Sequence, residues 1–373
     1  MSTPSTDEAL RRPNWMRVDR DVLRANYEEI VRRSGDRRVV ASVKADGYGH
    51  GVLDVSRALA DAGCDSLWTG HIGDALAIRA AGIDTEVVLF GGYTPDQIPA
   101  LVAAGLVPTV VDLTGAAAAA SCGAAVYVKV DAGLGRLGVP VDVAGTVIRE
   151  MAGLDGITIA GIYTHLPFSD RAGREWAVSK GAVFTEMLDG LARDGVRPGF
   201  TQMWGTCGLL ADLPDATNAV CVGHALYGMS PFTDPTLTDA ELQPVLTELG
   251  ASLIHVADHP HDVRAGGYLT RGVSRVGVIP FGVTDGMRRV DASFEPHALV
   301  RGQRVPIVGT SLEHTVLDLA AVPDAAVGDR VVLVGRDGGQ HITLTEWATS
   351  IGCSELDAVL AVAGRVQRRL AGA

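Results

Sequence analysis

Short β-branched runs alternate with Ala- and Leu-rich helical stretches from about residue 38 to residue 228. The helical patterns include Leu53–Ala62, Gly73–Ala81, Pro95–Ala104 and Arg174–Asp194. Eight apolar strands that alternate with helices predict a closed parallel (β/α)8 TIM-type barrel, with an open doubly wound sheet as the alternative. The eight runs are Val39–Val43, Ser66–Thr69, Glu86–Phe90, Pro108–Val111, Val126–Val130, Ile157–Tyr163, Gly199–Met203 and Ala219–Val222.

The pattern changes after residue 250, where short alternating segments punctuated by Gly and Pro replace most helical stretches. We therefore expect a barrel over residues 14–249 and a mostly β C-terminal domain over residues 250–373, to which residues 1–13 could belong. Trp15–Val18 precedes the first barrel strand and could pair with the second domain. The β segments are Ser252–Val256, Ser274–Val278, Arg304–Ile307, Val316–Leu319, Arg330–Val334 and His341–Leu344.

Composition narrows the class of protein. The 373 residues are 47% hydrophobic, which indicates an ordered globular chain, and the net charge of −12 argues against nucleic acid or an anionic membrane as the main partner. The five cysteines are scattered without a CxxC pair, so neither a metal site nor a disulfide framework is indicated. A polar N-terminus and the lack of an apolar run of membrane-spanning length predict a cytoplasmic protein.

Lys44 directly follows the apolar run Val39–Val43. A lysine at the end of a buried strand is costly unless it is paired or used. The next segment, Ala45–Gly51, holds three glycines and one tyrosine, so the backbone can turn tightly beside the amine. A desolvated lysine amine is a standard means of holding an aldehyde cofactor as a Schiff base.

Later strands also end in groups suited to ligand binding, and barrel enzymes function at the carboxyl ends of their strands. Arg136 lies in the glycine-rich loop Gly133–Gly138, which lets a guanidinium approach a ligand oxygen. His165 follows the sixth strand, and the sequence fits a packed polar residue there as well as a catalytic one. Thr206 and Gly223 follow the last two strands, whose loops often bind phosphate. Lys44 at one strand end and a phosphate-binding Gly/Thr loop at the far strand ends would together span a phosphorylated aldehyde such as pyridoxal 5'-phosphate (PLP).

The sequence resembles the alanine racemase family of PLP enzymes over nearly the whole chain. The most specific match is Val43–Gly51, which is similar to the cofactor-lysine signature of the family. Val130–Gly138, Tyr163–His165 and Gly223–Gly228 also match. The resemblance implies a PLP barrel with a C-terminal β domain, an amino-acid substrate, and a homodimer in which the partner's β domain completes each active site.

The resemblance also implies roles for individual residues. Lys44 would form the Schiff base with PLP, Tyr48 and Thr206 would contact its phosphate, and Gly223 would donate a backbone N–H to it. Arg136 would lie near the phenolic oxygen of the cofactor and the substrate carboxylate.

Three further positions belong to the same expectation. His165 would stack near the cofactor ring or support its face. Lys129 matches a lysine that family members can carry as a carbamate. Cys221 stands where the family has an arginine that faces the pyridine nitrogen, and a thiol there would be a weak donor; the bland alternative is an inert buried cysteine.

The chain departs from the family where the second catalytic base is expected. Val283 stands in place of a tyrosine, and Gly364 in place of a late tyrosine that contacts the phosphate. Racemisation removes a proton from one face of Cα and returns it on the other, so loss of a positioned base costs roughly 10²–10⁴-fold in rate. Glu313 and His314 are candidate replacements, with two polar residues on an exposed β edge as the alternative.

These departures leave three functions open. The first is a PLP-dependent amino-acid racemase or epimerase with an altered substrate. The second is a PLP-dependent lyase of specialised metabolism on the same scaffold, acting by retro-aldol cleavage, decarboxylation or β-elimination or substitution. The third is a PLP-binding protein without turnover, which the retention of Arg136 and Lys129 disfavours.

Overall fold

The structure is a computed structural model that describes residues 10–258, 264–265, 269–270, 273–289, 294–362 and 364–372. The chain forms two compact units. The barrel unit spans Leu23–Gln243, and the β unit joins the chain before Leu23 to the chain after Gln243. Strand β1 (Asn14–Asp19) belongs to the β unit because it pairs with a strand of that unit on each side.

The barrel unit contains eight parallel strands that follow one another around the barrel in chain order. The last strand pairs with the first, with Cys221 beside Val40, and this pairing closes the barrel. The strands are β2 Arg38–Ser42, β3 Ser66–Thr69, β4 Glu86–Leu89, β5 Val107–Val110, β6 Ala125–Asp131 with the short β7 Val139–Pro140 beside it, β8 Thr158–Tyr163, β9 Phe200–Gly205 and β10 Ala219–Val222.

Helices separate the strands, and polar caps fix where several of them begin. The side chains of His71, Asp112 and Asp170 each accept a backbone N–H from the first turn of the helix that follows. The helices are α1 Arg20–Ser34, α2 Val52–Asp61, α3 Ile72–Ala80, α4 Ile98–Ala103, α5 Leu113–Ala120, α6 Val141–Ala152, α7 Arg171–Arg193 and α8 Thr206–Leu210, with short 3₁₀ turns at Pro95–Gln97, His224–Tyr227 and Pro235–Leu237.

Four buried aromatic rings form a plug inside the barrel: Trp68, Tyr127, Tyr163 and Phe200. Trp68 lies edge-on to Tyr163 with 4.8 Å between ring centroids, and Tyr127 lies edge-on to Phe200 at 5.1 Å. Edge-to-face contacts of this kind add about 0.5–1.5 kcal/mol each to the burial of the rings. The barrel interior is thus a packed core, and ligands must bind at the loops.

The β unit is built on one sheet in which β12, β15, β18, β17, β16, β19, β11, β1 and β21 lie side by side. Its strands after β1 are β11 Leu246–Ser252, β12 His255–Asp258, β13 Arg264–Ala265, β14 Leu269–Thr270, β15 Arg275–Ile279, β16 His297–Val300, β17 Gln303–Thr310, β18 Thr315–Asp318, β19 Arg330–Asp337, β20 Gln340–Ile342 and β21 Gln367–Ala371. Helices α9 Leu344–Ser350 and α10 Glu355–Ala361 and a 3₁₀ turn at Val283–Asp285 complete it.

The predicted barrel with a mostly β C-terminal domain is confirmed, and several details differ. The predicted strand Ser252–Val256 is wrong, since it spans the end of β11 and the start of β12. The predicted strand at His341–Leu344 stops at Ile342, because the Thr343 hydroxyl accepts the Glu346 N–H and starts a helix.

The two compact units divide after Val22 and Gln243. The domain bounds expected from the sequence, a barrel over residues 14–249 and a β domain over residues 250–373, stay a prediction. Trp15, Met16 and Val18 are buried, and β1 packs them into the sheet of the β unit, so the chain before α1 is counted there.

Candidate active site

A pocket of about 430 Å³ opens at the carboxyl ends of the barrel strands. Its wall comes from the ends of β2, β6, β8, β9 and β10 and from the loops that follow them. This is the end of the barrel at which ligands are expected to bind. Eight of the residues proposed from the sequence line it: Lys44, Tyr48, Lys129, Arg136, His165, Thr206, Cys221 and Gly223.

The segment Lys44–Tyr48 is a single left-handed turn directly after β2. Ala45, Asp46 and Tyr48 have φ values of 55°, 55° and 52°, in a region that costs residues other than glycine about 1–2 kcal/mol each. The Asp46 carboxylate accepts the Val52 N–H at 2.8 Å and thereby ties the turn to α2. Such strain persists where surrounding contacts fix it, and it is frequent at functional sites.

A stack of aromatic rings supports this turn. The Tyr48 ring lies on Tyr227 with centroids 4.7 Å apart, and His50 stacks on the same tyrosine at 4.9 Å. The Tyr227 hydroxyl donates to the Ser42 carbonyl at 3.2 Å. A side chain on Gly223 would come within 2.1 Å of the Tyr48 hydroxyl oxygen, so that hydroxyl lies directly against the Gly223 backbone.

Three donors therefore meet at one end of the pocket: the hydroxyls of Tyr48 and Thr206 and the backbone N–H of Gly223. The Gly223 N–H donates to Thr206 Oγ1 at 3.1 Å. Thr164, which also lines the pocket, is buried and its hydroxyl has no hydrogen-bond partner among the described residues. Hydroxyl and amide donors around a glycine suit a phosphate group, so the residues present fit PLP.

Arg136 lies in a loop that one carboxylate organises. The Asp131 carboxylate accepts the backbone N–H groups of Gly133, Gly135 and Arg136 at 2.9, 3.2 and 3.0 Å. The loop backbone is fixed by these bonds, whereas the guanidinium forms no hydrogen bond or ion pair within the described part of the chain. It remains available to an anionic ligand.

The Lys44 amine is half-buried, 5.5 Å from the centre of the Tyr48 ring. Burial lowers its pKa, and the nearby Arg136 guanidinium acts in the same direction, while Cys221 opposes the shift. A lysine with a lowered pKa offers more neutral amine near pH 7, and the neutral amine is the form that attacks an aldehyde or accepts a proton.

Two neighbouring groups are shifted as well. Lys129 is buried, and burial together with Arg136 lowers its pKa to about 8. Burial and the cations around His165 lower the pKa of that imidazole to about 3, so it is neutral near pH 7. Burial raises the pKa of the Cys221 thiol to about 12, so the thiol keeps its proton.

None of the side chains found to line the pocket in the described chain carries a carboxylate. Two lysines and one arginine face it together with the hydroxyls of the phosphate end. The pocket can therefore bind two anionic groups, a phosphate and a carboxylate, beside an amine with a lowered pKa.

The two remaining predicted residues, Glu313 and His314, lie in the β unit, between β17 and β18. The Val283 and Thr284 N–H groups donate to the carbonyls of Ser311 and Leu312, each at 3.0 Å, so Val283 lies beside the turn that contains Glu313. His314 is exposed, and its carbonyl accepts the Ser311 N–H at 2.8 Å in a tight turn.

Glu313 belongs to a cluster of four charged side chains. Its carboxylate pairs with Arg12 at 2.7 Å and with Arg365 at 2.8 Å, and hydrogen bonding to Arg365 lowers its pKa. Asp285, which is fully buried, pairs with Arg12 at 3.2 Å and accepts the Gly282 N–H at 2.8 Å. The carboxylates of this segment are thus held by arginines.

The pocket also contains polar residues that the sequence did not single out, namely His224, Gln202 and Thr164. Gln202 lies on a strand whose pattern indicated only burial, whereas Thr164 stood in the matching segment Tyr163–His165 without a role of its own. His224 stood in a matching segment directly after Gly223, so its position next to a proposed phosphate ligand was the signal that could have identified it.

Two other kinds of feature are absent from the described residues. No helix there is both long and apolar enough to cross a membrane. No group of three or more His, Cys, Asp or Glu side chains in that part of the chain is placed to hold a metal ion.

Known proteins resemble the chain over nearly its full length. The family profile for the alanine racemase N-terminal domain matches residues 18–231, and that for the C-terminal domain matches residues 248–370. The alanine racemase of Symbiobacterium thermophilum is 32% identical over 372 residues, covering 97% of this chain and 98% of that protein.

Solved structures agree with these matches. The alanine racemase from D-cycloserine-producing Streptomyces lavendulae superposes with a TM-score of 0.85 at 27% identity, over 100% of this chain and 98% of that one. The alanine racemase of Bacillus anthracis with bound L-Ala-P gives 0.86 at 25% identity, over 97% and 96%. The chain therefore belongs to the alanine racemase family and is a PLP-dependent, racemase-like enzyme.

Proposed function

We propose that the protein is an amino-acid racemase or epimerase that acts at Cα of a substrate other than alanine, with Val283 in place of the usual second base. The observation that carries the proposal is the convergence of Lys44, Arg136 and the phosphate donors in one pocket of about 430 Å³. An amine with a lowered pKa, a free guanidinium and a phosphate cup are what a PLP enzyme of amino acids requires.

When bound, PLP supplies an electron sink that makes the bonds to Cα of an amino acid labile. Lys44 holds the cofactor, and its amine accepts or returns the Cα proton on one face of the substrate. Arg136 binds the substrate carboxylate, and its loop is prepared for this by Asp131. The neutral His165 supports the ring without adding a positive charge to a pocket already rich in cations.

Glu313 and His314 are the candidates for the group that works on the opposite face of Cα. A carboxylate held by two arginines is a weak base, so Glu313 is the poorer candidate and His314 the better one. As in the family it resembles, we propose a homodimer in which the β unit of the partner subunit completes the site. Sedimentation analysis of the purified protein tests the dimer, and a monomer at working concentration contradicts it.

A lyase on the same scaffold is the second candidate, and Val283 favours it. Valine can neither accept nor donate a proton, so the chemistry opposite Lys44 could be bond cleavage rather than reprotonation. Incubation with a panel of amino acids in D₂O distinguishes the two. Deuterium at Cα with inversion supports racemisation, deuterium with retention excludes it, and cleavage products support the lyase.

The altered substrate can be tested at Val283 itself. If only the base has been lost, Val283→Tyr should raise alanine racemisation. The rate should be measured against wild type and a Val283→Phe control, which adds the ring without the hydroxyl. An equal response of the two variants would show that the pocket has diverged beyond the base.

The role of Lys44 has a direct chemical test, because the chain contains only three lysines, Lys44, Lys129 and Lys180. Borohydride reduction of the PLP-loaded protein should fix the cofactor on one peptide, which mass spectrometry identifies. Attachment at Lys44 supports the proposal, and attachment only at Lys129 or Lys180 refutes it.

A further inference from the structure

His224 is placed at the phosphate end of the pocket but has no assigned role. It follows Gly223 directly and lines the pocket. Its imidazole lies edge-on to the Tyr48 ring with centroids 5.5 Å apart, and the hydroxyl of that tyrosine lies against Gly223. The imidazole forms no hydrogen bond within the described part of the chain, although it is half-buried.

We propose that His224 is a further cofactor-binding residue, whose imidazole donates a hydrogen bond to the phosphate of PLP and takes up a proton from solvent when the phosphate binds. The inference rests on the phosphate cup proposed above. That cup consists of neutral donors, namely the hydroxyls of Tyr48 and Thr206 and the Gly223 N–H. A charged donor adds an ion pair to the hydrogen bond that a neutral donor can make with a phosphate dianion.

The surroundings of His224 determine its protonation. Burial lowers its pKa, and the positive charge of Lys44 acts in the same direction. His165 is neutral near pH 7, and burial keeps the hydroxyls of Tyr48 and Tyr227 protonated, because the pKa of each is raised above its usual value. The imidazole is therefore neutral before PLP binds, and among the described residues no acidic side chain pairs with it.

A phosphate dianion reverses this balance. An opposite charge at hydrogen-bond distance raises the pKa of a histidine, so the protonated form is favoured once the phosphate is bound. Binding should therefore take up as much as one proton near neutral pH. Affinity should fall as the pH rises through the pKa of the bound imidazole.

The test compares PLP with pyridoxal, which lacks the phosphate, on the cofactor-free protein. His224→Gln should weaken PLP binding roughly 10–100-fold, the range for a hydrogen bond to a charged group, and leave pyridoxal binding unchanged. His165→Gln, in the same pocket, is the matched control and should affect both ligands equally. Equal losses for both ligands in His224→Gln, or no loss of PLP affinity, would overturn the proposal.

Proton uptake provides a readout that needs no variant. Calorimetry at pH 7.5 in buffers of different ionisation enthalpy should show that wild-type protein takes up more protons with PLP than with pyridoxal, and that His224→Gln or His224→Asn abolishes the difference. Equal uptake with the two ligands in wild type refutes the proposal. Because the readout is binding, it does not depend on whether the enzyme racemises or cleaves its substrate.

Discussion

Charged side chains in the barrel pocket and in the turns of the β unit differ in whether the fold pairs them. Within the described residues, the side chains of Lys44, Lys129 and Arg136 form no ion pair. Asp285 and Glu313, by contrast, are each held by arginines at 2.7–3.7 Å. Lys129 is buried and Lys44 is half-buried, and an unpaired cation is costly to keep in such a place without a ligand, whereas the paired charges are explained by structure alone. The unpaired cations of the pocket are therefore suited to bind a ligand, whereas the paired carboxylates of the β unit stabilise its turns.

The largest expected effect is at Lys44. Lys44→Ala should abolish the absorption of bound PLP and lower the rate of Cα proton exchange by roughly 10²–10⁴-fold or more, since the acid–base group is lost. Lys44→Arg keeps the charge but cannot bond the aldehyde, so it should be equally inactive. Activity retained in either variant would place the chemistry elsewhere in the pocket.

The next effect is on stability and lies in the β unit. Asp285→Ala leaves Arg12 and the Gly282 N–H without their buried partner and should lower the free energy of unfolding by about 3–5 kcal/mol. Denaturant unfolding measures the loss, while PLP absorption under native conditions should be unchanged. If the free energy of unfolding falls by less than about 1 kcal/mol, the ion pair of Asp285 does not stabilise the β unit as proposed.

At Lys129, by contrast, a substitution should raise the free energy of unfolding. Its pKa is lowered from 10.5 to about 8, so in the cofactor-free protein its charge costs roughly 3 kcal/mol of stability below pH 8. Lys129→Met should therefore be the more stable protein at pH 7. The advantage should shrink between pH 8 and 10.5, where the unfolded chain binds more protons than the folded one. A difference that does not vary with pH contradicts the buried-cation interpretation.

The smallest expected effect is at Glu313. Because two arginines hold its carboxylate and its pKa is lowered, Glu313→Gln should reduce the exchange rate by less than about tenfold. His314→Gln, in the same turn, is the comparison variant. If the exchange rate falls 10²-fold or more in Glu313→Gln and not in His314→Gln, Glu313 takes part in the reaction.

Much of the barrel and its site could be predicted from the sequence, because local patterns carry that information. Eight apolar runs alternating with helices specify the barrel, and function lies where its strands end, so the sequence alone could assign Lys44, Arg136 and Thr206 to one pocket. The second unit was less predictable. Its strands are short, and the Thr343 cap converts the end of one predicted strand into a helix.

The sequence by itself determined the order of the barrel strands and the lysine at the end of β2, and it predicts that the usual proton-carrying group is lost at position 283. Only the tertiary structure decided that Lys44 begins a left-handed turn, that β1 belongs to the β unit, that arginines hold Glu313, and that His224 faces the phosphate end of the pocket. The physical reason is the distance along the chain over which each interaction acts. Periodicity reports burial within one element, whereas pairing, desolvation and strain depend on residues distant in the chain.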